Sequence, residues 1–279
     1  MFDTHCHLNF KTFDGKVSEV VERAKKAGIR HIIIPGTDIQ TSKKAVELTT
    51  QFDNVYAAVG IHPHHIYSYN VERKTWNVKK ELAEVEKLLT HPKVVAVGEV
   101  GIDRHYYDKT KYTEYRIDET FINQQKVFLR LQIDLALQYK KSLILHNREA
   151  KKDTLSILRE VWDKSIEGRS VFHCCEPDGE LLDFAKQHNM CIGVDGDITY
   201  RKDKQEFIKK VPLEMLVLET DSPFLHPEPL RSQPRATRGP NEPKNLKLIA
   251  EFIAKILHIS LKELAEVTEE NSKRLFAVT

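Results

Sequence analysis

The chain has 279 residues, 41% of them hydrophobic, and its 43 basic side chains almost cancel 41 acidic ones. That length suits one large domain with a full core, and an α/β barrel of about 250 residues is a natural size match. The near-neutral balance excludes a global field for holding a polyanion, and no apolar run approaches the roughly 18 residues of a membrane helix. Because candidate site residues begin at position 3, no leader is expected ahead of the first strand, and the expected location is cytoplasmic. Cys6, Cys174, Cys175 and Cys191 form no C-x-x-C pair and read as reduced thiols.

The chain opens on "MFDTHCH". A strand alternates its side chains, so Asp3, His5 and His7 would face one way and Phe2, Thr4 and Cys6 the other. Two imidazoles on one face can close on a metal ion, although an isolated His-x-His could equally be a pair of surface histidines. Further β-rich runs follow at 31–36, 55–62, 94–101, 142–146, 170–174, 190–195 and 215–221. Helical patterns separate them. In "NVKKELAEVEKLLTH", Leu82, Val85 and Leu88 or Leu89 recur at helical spacing. After the eighth run, Pro243 suits the first turn of a helix, and Ser260 with Glu263 makes a capping box. Alternation of this kind predicts an α/β fold: a single (β/α)8 TIM barrel over 1–279 with an extra C-terminal helix. A doubly wound open sheet is the alternative. Two loops, 63–76 and 102–116, are longer than usual.

The C-terminal ends of the predicted strands carry a pattern. Strand one ends in His5 and His7, strand three in His62, strand four in Glu99, strand five in His146, strand six in His173 and strand eight in Asp221. Barrel active sites are built at this rim. Each residue alone has an ordinary explanation: a packed histidine, a satisfied carboxylate, a turn former before Ser222–Pro223. Setting His62 aside, six potential ligands from five strands at one end point instead to a metal site.

The segments "DTHCH", "GIHPHH", "GEVGID", "LILHNRE", "VFHCC", "LETDSPFL", "RGPNEP" and "ENSKRLF" resemble, in order and across essentially the whole chain, the motifs of the TatD family of metal-dependent hydrolases. The resemblance implies a barrel like those of the amidohydrolases and a metal-dependent deoxyribonuclease activity, including removal of nucleotides from a 3′ end. It also implies that His5, His7, Glu99 and Asp221 hold one metal. Glu99, His146 and His173 would hold a second, with Glu99 bridging. Three segments depart from the family pattern. "HCCEPDGE" replaces the usual aromatic and Ser/Gly-rich turn, the loop after "GEVGID" is longer and rich in tyrosine, and "HPEPLRSQPRATRGP" stretches a short arginine-containing link.

Two divalent ions could hold a bridging hydroxide and clamp a phosphodiester, with Asp221 taking or passing the proton. Imidazole-rich ligands favour zinc, manganese or iron over magnesium, whereas the family is often associated with magnesium. His62, His64, Arg148, Arg231 and Arg238 are the candidate phosphate donors, arginine because of its planar fork. The arginines of "RSQPRATR" could equally form a solvated loop. Tyr67, Tyr69, Tyr106, Tyr107, Tyr112 and Tyr115 alternate with cations in the long loops, which suits stacking on single-stranded nucleic acid, or they anchor those loops. Cys174 is expected to point toward the helices and, with Cys175, to stay off the metals. The expected partner is DNA, single-stranded or at 3′ ends, with no membrane and no obligate protein partner. A small-molecule hydrolase for amides, lactones or phosphotriesters could use the same site. Many such enzymes bridge their metals with a carbamylated lysine on strand four, so Glu99 there favours the nuclease. A barrel without catalysis, serving as a binding module, is the third reading, and the intact ligand set argues against it.

Overall fold

The computed structural model describes residues 1–68 and 78–279, with Arg235 described by its backbone alone. Eight strands run Phe2–Asp3 (β1), His31–Pro35 (β2), Val55–Val59 (β3), Val94–Asp103 (β4), Ser142–Arg148 (β5), Ser170–Phe172 (β6), Cys191–Val194 (β7) and Leu216–Leu218 (β8). They pair in chain order, each with the next and all parallel. The Thr4 amide donates to the Leu218 carbonyl at 3.0 Å, the Asp221 amide donates to the His5 carbonyl at 2.9 Å, and Cys6 bridges Ser222. These bonds bring the last strand round to the first. The fold is the (β/α)8 barrel, not the doubly wound sheet.

Helices lie between the strands and after the last: Val17–Lys26 (α1), Ile39–Thr49 (α2), Val78–Leu89 (α3), Glu119–Gln138 (α4), Lys151–Val161 (α5), Gly179–Gln187 (α6), Lys202–Ile208 (α7), Arg235–Arg238 (α8), Leu246–Leu257 (α9) and Leu261–Phe276 (α10). Helix α3 buries Leu82, Val85 and Leu89, as its spacing predicts. Pro243 opens a 3-10 turn leading into α9, and the Ser260 hydroxyl accepts the Glu263 amide at 3.1 Å to cap α10. No described helix is long and apolar enough to cross a membrane.

The apolar strand runs divide between two cores. One face packs against the surrounding helices. The other fills the barrel with one residue per strand: Phe2, Ile33, Ala58, Ala96, Ile144, Val171, Cys191 and Val217. Leu275 and Phe276, at the end of α10, join this inner layer. Two residues further along the same strands, alternation carries Ile144 to His146, Val171 to His173 and Val217 to Glu219.

Glu99 breaks that rhythm. Three steps from the inward Ala96, it would face the helices if the strand alternated regularly. The β4–β5 register shifts between Val97 and Val100, so that three residues of β4 span two of β5. Such a bulge re-aims the side chains that follow it. Val100 and Ile102 join the outer core, while Glu99 and Asp103 point into the barrel mouth.

Candidate metal centre

Two tight sets of donors meet at Glu99, whose side chain is buried at the barrel mouth. The first set is His5 Nε2, His7 Nε2, Glu99 Oε2 and Asp221 Oδ1. His5 and His7 are 3.2 Å apart; Glu99 lies 3.3 and 3.7 Å from them, and Asp221 3.8 and 3.4 Å. A tetrahedral ion with ligands at about 2.0–2.2 Å has edges of roughly 3.3–3.6 Å. The His5, His7 and Glu99 donors thus cluster at separations that suit one divalent ion, and Asp221 clusters with His5 and His173 beside them. On the other side, Glu99 Oε1 lies 2.7 Å from His146 Nδ1, 3.6 Å from His173 Nε2 and 3.4 Å from His62 Nε2. The Glu99, His146 and His173 donors all fall within 4.8 Å of one another, so they too could hold an ion.

Burial alone would raise the Glu99 carboxyl, but His62, His173 and His5 outweigh it and hold Glu99 well below the usual carboxylate range. Burial would push His146 down; Asp103 and Glu99 instead raise it to about 9. Burial acts likewise on His173, where Glu219 and Glu99 win and raise it to about 10. At His5 the balance goes the other way: burial, with His173 beside it, outweighs Glu99 and keeps its pKa low. The centre thus holds an ionised carboxylate among imidazoles, two of which the neighbouring acids favour in their cationic form.

Further groups sit against these side chains. Glu219 Oε1 is 3.0 Å from His173 Nδ1, the ring nitrogen turned away from Glu99. The Pro35 carbonyl is 3.3 Å from His7 Nδ1. Asp103 Oδ2 is 3.2 Å from His146 Nε2 and accepts the Tyr107 hydroxyl at 2.7 Å. A carboxylate bonded to a histidine, as Asp103 is to His146, fixes the ring and its tautomer, while Glu219 pairs with His173 by charge. Glu219 and Asp103 were not predicted as site residues, although both stand inside the quoted motifs "ETDSP" and "GEVGID". Glu219 has a signal in its phase, sharing the inward alternation of Val217 and Asp221, whereas Asp103, like Glu99, faces inward only because of the β4 bulge.

The centre opens into a cavity of about 490 Å³. His62 lines it, as expected, but its 3.4 Å approach to Glu99 places it within the donor cluster. His64 lines it with both ring nitrogens committed, one to the Tyr115 hydroxyl at 3.2 Å and the other to Thr110 at 3.1 Å. Arg148 lines it and donates to the Tyr107 hydroxyl at 3.2 Å. Arg231 and Arg238 stand outside its lining: Arg231 packs over Tyr200 at 3.8 Å, and Arg238 donates to the Arg231 carbonyl at 2.7 Å. Arg201 and Lys204, which the sequence did not single out, line it instead.

The long-loop tyrosines separate into two kinds. Tyr67, Tyr112 and Tyr115 are buried in the core and anchor the loops. Tyr106 is exposed and Tyr107 half-buried; Tyr69 lies outside the described residues. The neighbouring cations are also engaged, Arg104 with Asp153 and Glu119, and Arg116 with Asp118.

Cys174 departs from its expected orientation. Strand β6 ends at Phe172, and Cys174 adopts a left-handed φ of 44°, so strand alternation no longer governs it. It lines the cavity and lies 3.6 Å from the Lys204 ammonium. Cys174, Asp195 and Asp197 together resemble a third ion site, but Lys204 sits 3.3 Å from Asp195 and 2.8 Å from Asp197 and occupies that position as the cation. Cys175 is buried with its sulfur on the Glu176 carbonyl, and burial pushes its thiol up to about 12.

The family model for TatD related DNase matches residues 2–277. The chain belongs to the TatD family. Among TatD relatives it is 34% identical to the uncharacterized metal-dependent hydrolase YabD of Bacillus subtilis (strain 168), covering 100% of this chain and 99% of that protein. It is 32% identical to a protein of Edwardsiella piscicida named 3′-5′ ssDNA/RNA exonuclease TatD, over 99% of both. The crystal structure of the Escherichia coli K12 TatD homologue YJJV superposes with a TM-score of 0.83 at 26% identity, over 100% of this chain and 98% of that one. The chain is thus a TatD-family metal-dependent hydrolase, as its motifs suggested.

Proposed function

We propose that residues 1–279 act as one hydrolase barrel, a nuclease that cleaves phosphodiesters in single-stranded nucleic acid, DNA above all, from the 3′ end. The observation that carries this reading is the division of Glu99: Oε2 faces His5 and His7 at 3.3 and 3.7 Å, while Oε1 faces His146 and His173 at 2.7 and 3.6 Å. A carboxylate so divided suits two ions a few ångströms apart, the arrangement that clamps both oxygens of an in-line phosphoryl displacement. His5, His7, Glu99 and Asp221 would hold one ion, and Glu99, His146 and His173 the other. Bound divalent ions would lower the pKa of water toward 7 and polarise the phosphoryl oxygens. Zinc and manganese suit the imidazole-rich donors better than magnesium.

The remaining work falls to the chain. Asp221, with its left-handed φ of 47° just past β8, presents its carboxylate to the cavity and takes the proton released by the attacking water. His62 and Arg148 face the same space and orient the phosphodiester, whereas His64 keeps both ring nitrogens on Tyr115 and Thr110 and only shapes the wall. The names of the relatives, exonuclease among them, support the substrate class.

The test is metal analysis of the purified protein beside an activity panel of single-stranded DNA, duplex DNA, RNA, lactones and simple esters, each with zinc, manganese and magnesium. The expected result is about two ions per chain and preferred cleavage of single-stranded ends. Turnover of lactones or esters with every oligonucleotide left intact would contradict the reading.

A further inference from the structure

The cavity has two unlike walls. On the side of β5 to β7 it is polar, lined by Asn147, Arg148, Glu176, Arg201 and Lys204. On the side of β1 and β8 it is aromatic. Phe10 lies flat on the ligand His7, with ring centroids 4.3 Å apart and planes inclined by 14°. Phe224 meets Phe10 nearly edge-on at 6.1 Å and 70°, and meets His7 at 6.3 Å. Both phenylalanines line the cavity.

Phe224 is 51% exposed. The other exposed large apolar side chains among the described residues, Tyr106 and Val127, do not line the cavity. A single exposed ring on a protein surface needs no explanation. This one is held in place beside the donors. Its amide donates to the Asp221 carbonyl at 2.8 Å, and its carbonyl accepts from the buried Asn241 amide at 2.7 Å. The ring therefore cannot drift far from the ligand three residues before it.

We infer that Phe10 and Phe224 form the seat for the unpaired base at the 3′ end of the substrate. The inference rests on the nuclease reading and specifies which end of the nucleotide goes where. A terminal nucleotide joins a flat π-face to an anionic phosphodiester. The cavity joins an aromatic corner to a centre of imidazoles and carboxylates built for cations, with arginine opposite. Stacking on a ring accepts every base, so the seat gives a preference for unpaired ends without a sequence preference. A base still paired and stacked in a duplex cannot offer its face to Phe224.

The test uses the full-length protein with its metals and a phosphorothioate-protected single strand ending in 2-aminopurine, whose fluorescence is quenched on stacking. A matched strand ending in an abasic residue is the control. Wild type and Phe224→Tyr should quench the probe. Phe224→Ala should bind it about 5- to 150-fold more weakly without quenching, the range expected for one base–aromatic stack. On the abasic strand, wild type and Phe224→Ala should bind alike, with equal metal content. Unchanged binding of the probe by Phe224→Ala, or equal losses on both strands, would overturn the seat. If wild type still cleaves oligonucleotides in that case, the nuclease reading stands without it. If wild type neither binds nor cleaves any oligonucleotide, the nuclease reading falls and the seat falls with it.

Discussion

At the lower end of the barrel, Phe2, Ile33, Ile144, Val171 and Val217 fill the interior, and Leu275 and Phe276 of α10 pack beneath them. At the upper end the same strands, two to four residues further on, deliver His146, His173, Glu219 and Asp221. The backbone scaffold is shared, yet the two ends obey opposite rules. Below, each side chain removes apolar surface from water, and stability follows from that burial. Above, a carboxylate and several imidazoles are buried together, an arrangement that costs stability unless a cation or a proton compensates it. Mutations at the two ends should therefore separate stability from activity.

The largest expected effect is at the top. Asp221→Asn keeps an oxygen ligand but cannot accept the proton, so kcat should fall by about 10²–10⁴, the usual range for lost general acid–base catalysis. Metal content and thermal midpoint should change little, which single-turnover rates, metal analysis and calorimetry would check together. A variant that loses its metals instead would move Asp221 from proton acceptor to essential ligand.

At the bottom, Phe276→Ala should have the converse signature. The ring is 2% exposed and packs against Phe2 at a centroid distance of 6.0 Å. Its removal should cost about 3–5 kcal/mol of stability in chemical denaturation. The folded fraction should keep its metals and its rate per site. Parallel losses of both would show that the two ends are coupled more tightly than their separation suggests.

A smaller effect is expected at the level between them. A Cβ on Gly193 would stand 2.7 Å from Glu219 Oε2 and 2.8 Å from Oε1. The carboxylate cannot easily retreat, because Thr4 holds it at 3.3 Å, the Cys174 amide at 2.5 Å and His173 at 3.0 Å. Gly193→Ala should therefore turn His173 out of position and weaken metal binding by about 10- to 100-fold, as lost orienting partners do. Metal titration of this variant reads the effect, and an unchanged affinity would leave Glu219 without an orienting role.

These contrasts also explain what could be read from the sequence. Parallel strands buried on both faces are continuous apolar runs, so eight strands and the barrel were visible, as were the strand-end histidines and acids. Regular alternation, however, would send Glu99 outward. The bulge between Val97 and Val100 that turns it inward depends on pairing with β5, which no local pattern reports. Cys174 was misdirected for a related reason: the strand ends two residues earlier, and a left-handed residue resets the direction. Lys204 had no signal at all, since a lysine in a short helix looks solvated until Asp195 and Asp197 are seen folded around it. The loop tyrosines suggested stacking by composition, whereas burial assigns Tyr67, Tyr112 and Tyr115 to the core. Phe224 carries no local signal, because one phenylalanine in a turn is ordinary without Phe10 and His7 beside it.

The proposed dinuclear centre requires Glu99 to serve two ions at once, and the metal stoichiometry of Glu99→Gln reads that requirement. Removing the negative charge from between two dications leaves their repulsion uncompensated. The account predicts that the folded variant binds at most one equivalent of metal where wild type binds two, with activity at background. Two retained equivalents and a near-normal rate would contradict the bridge and the reading of the site built on it.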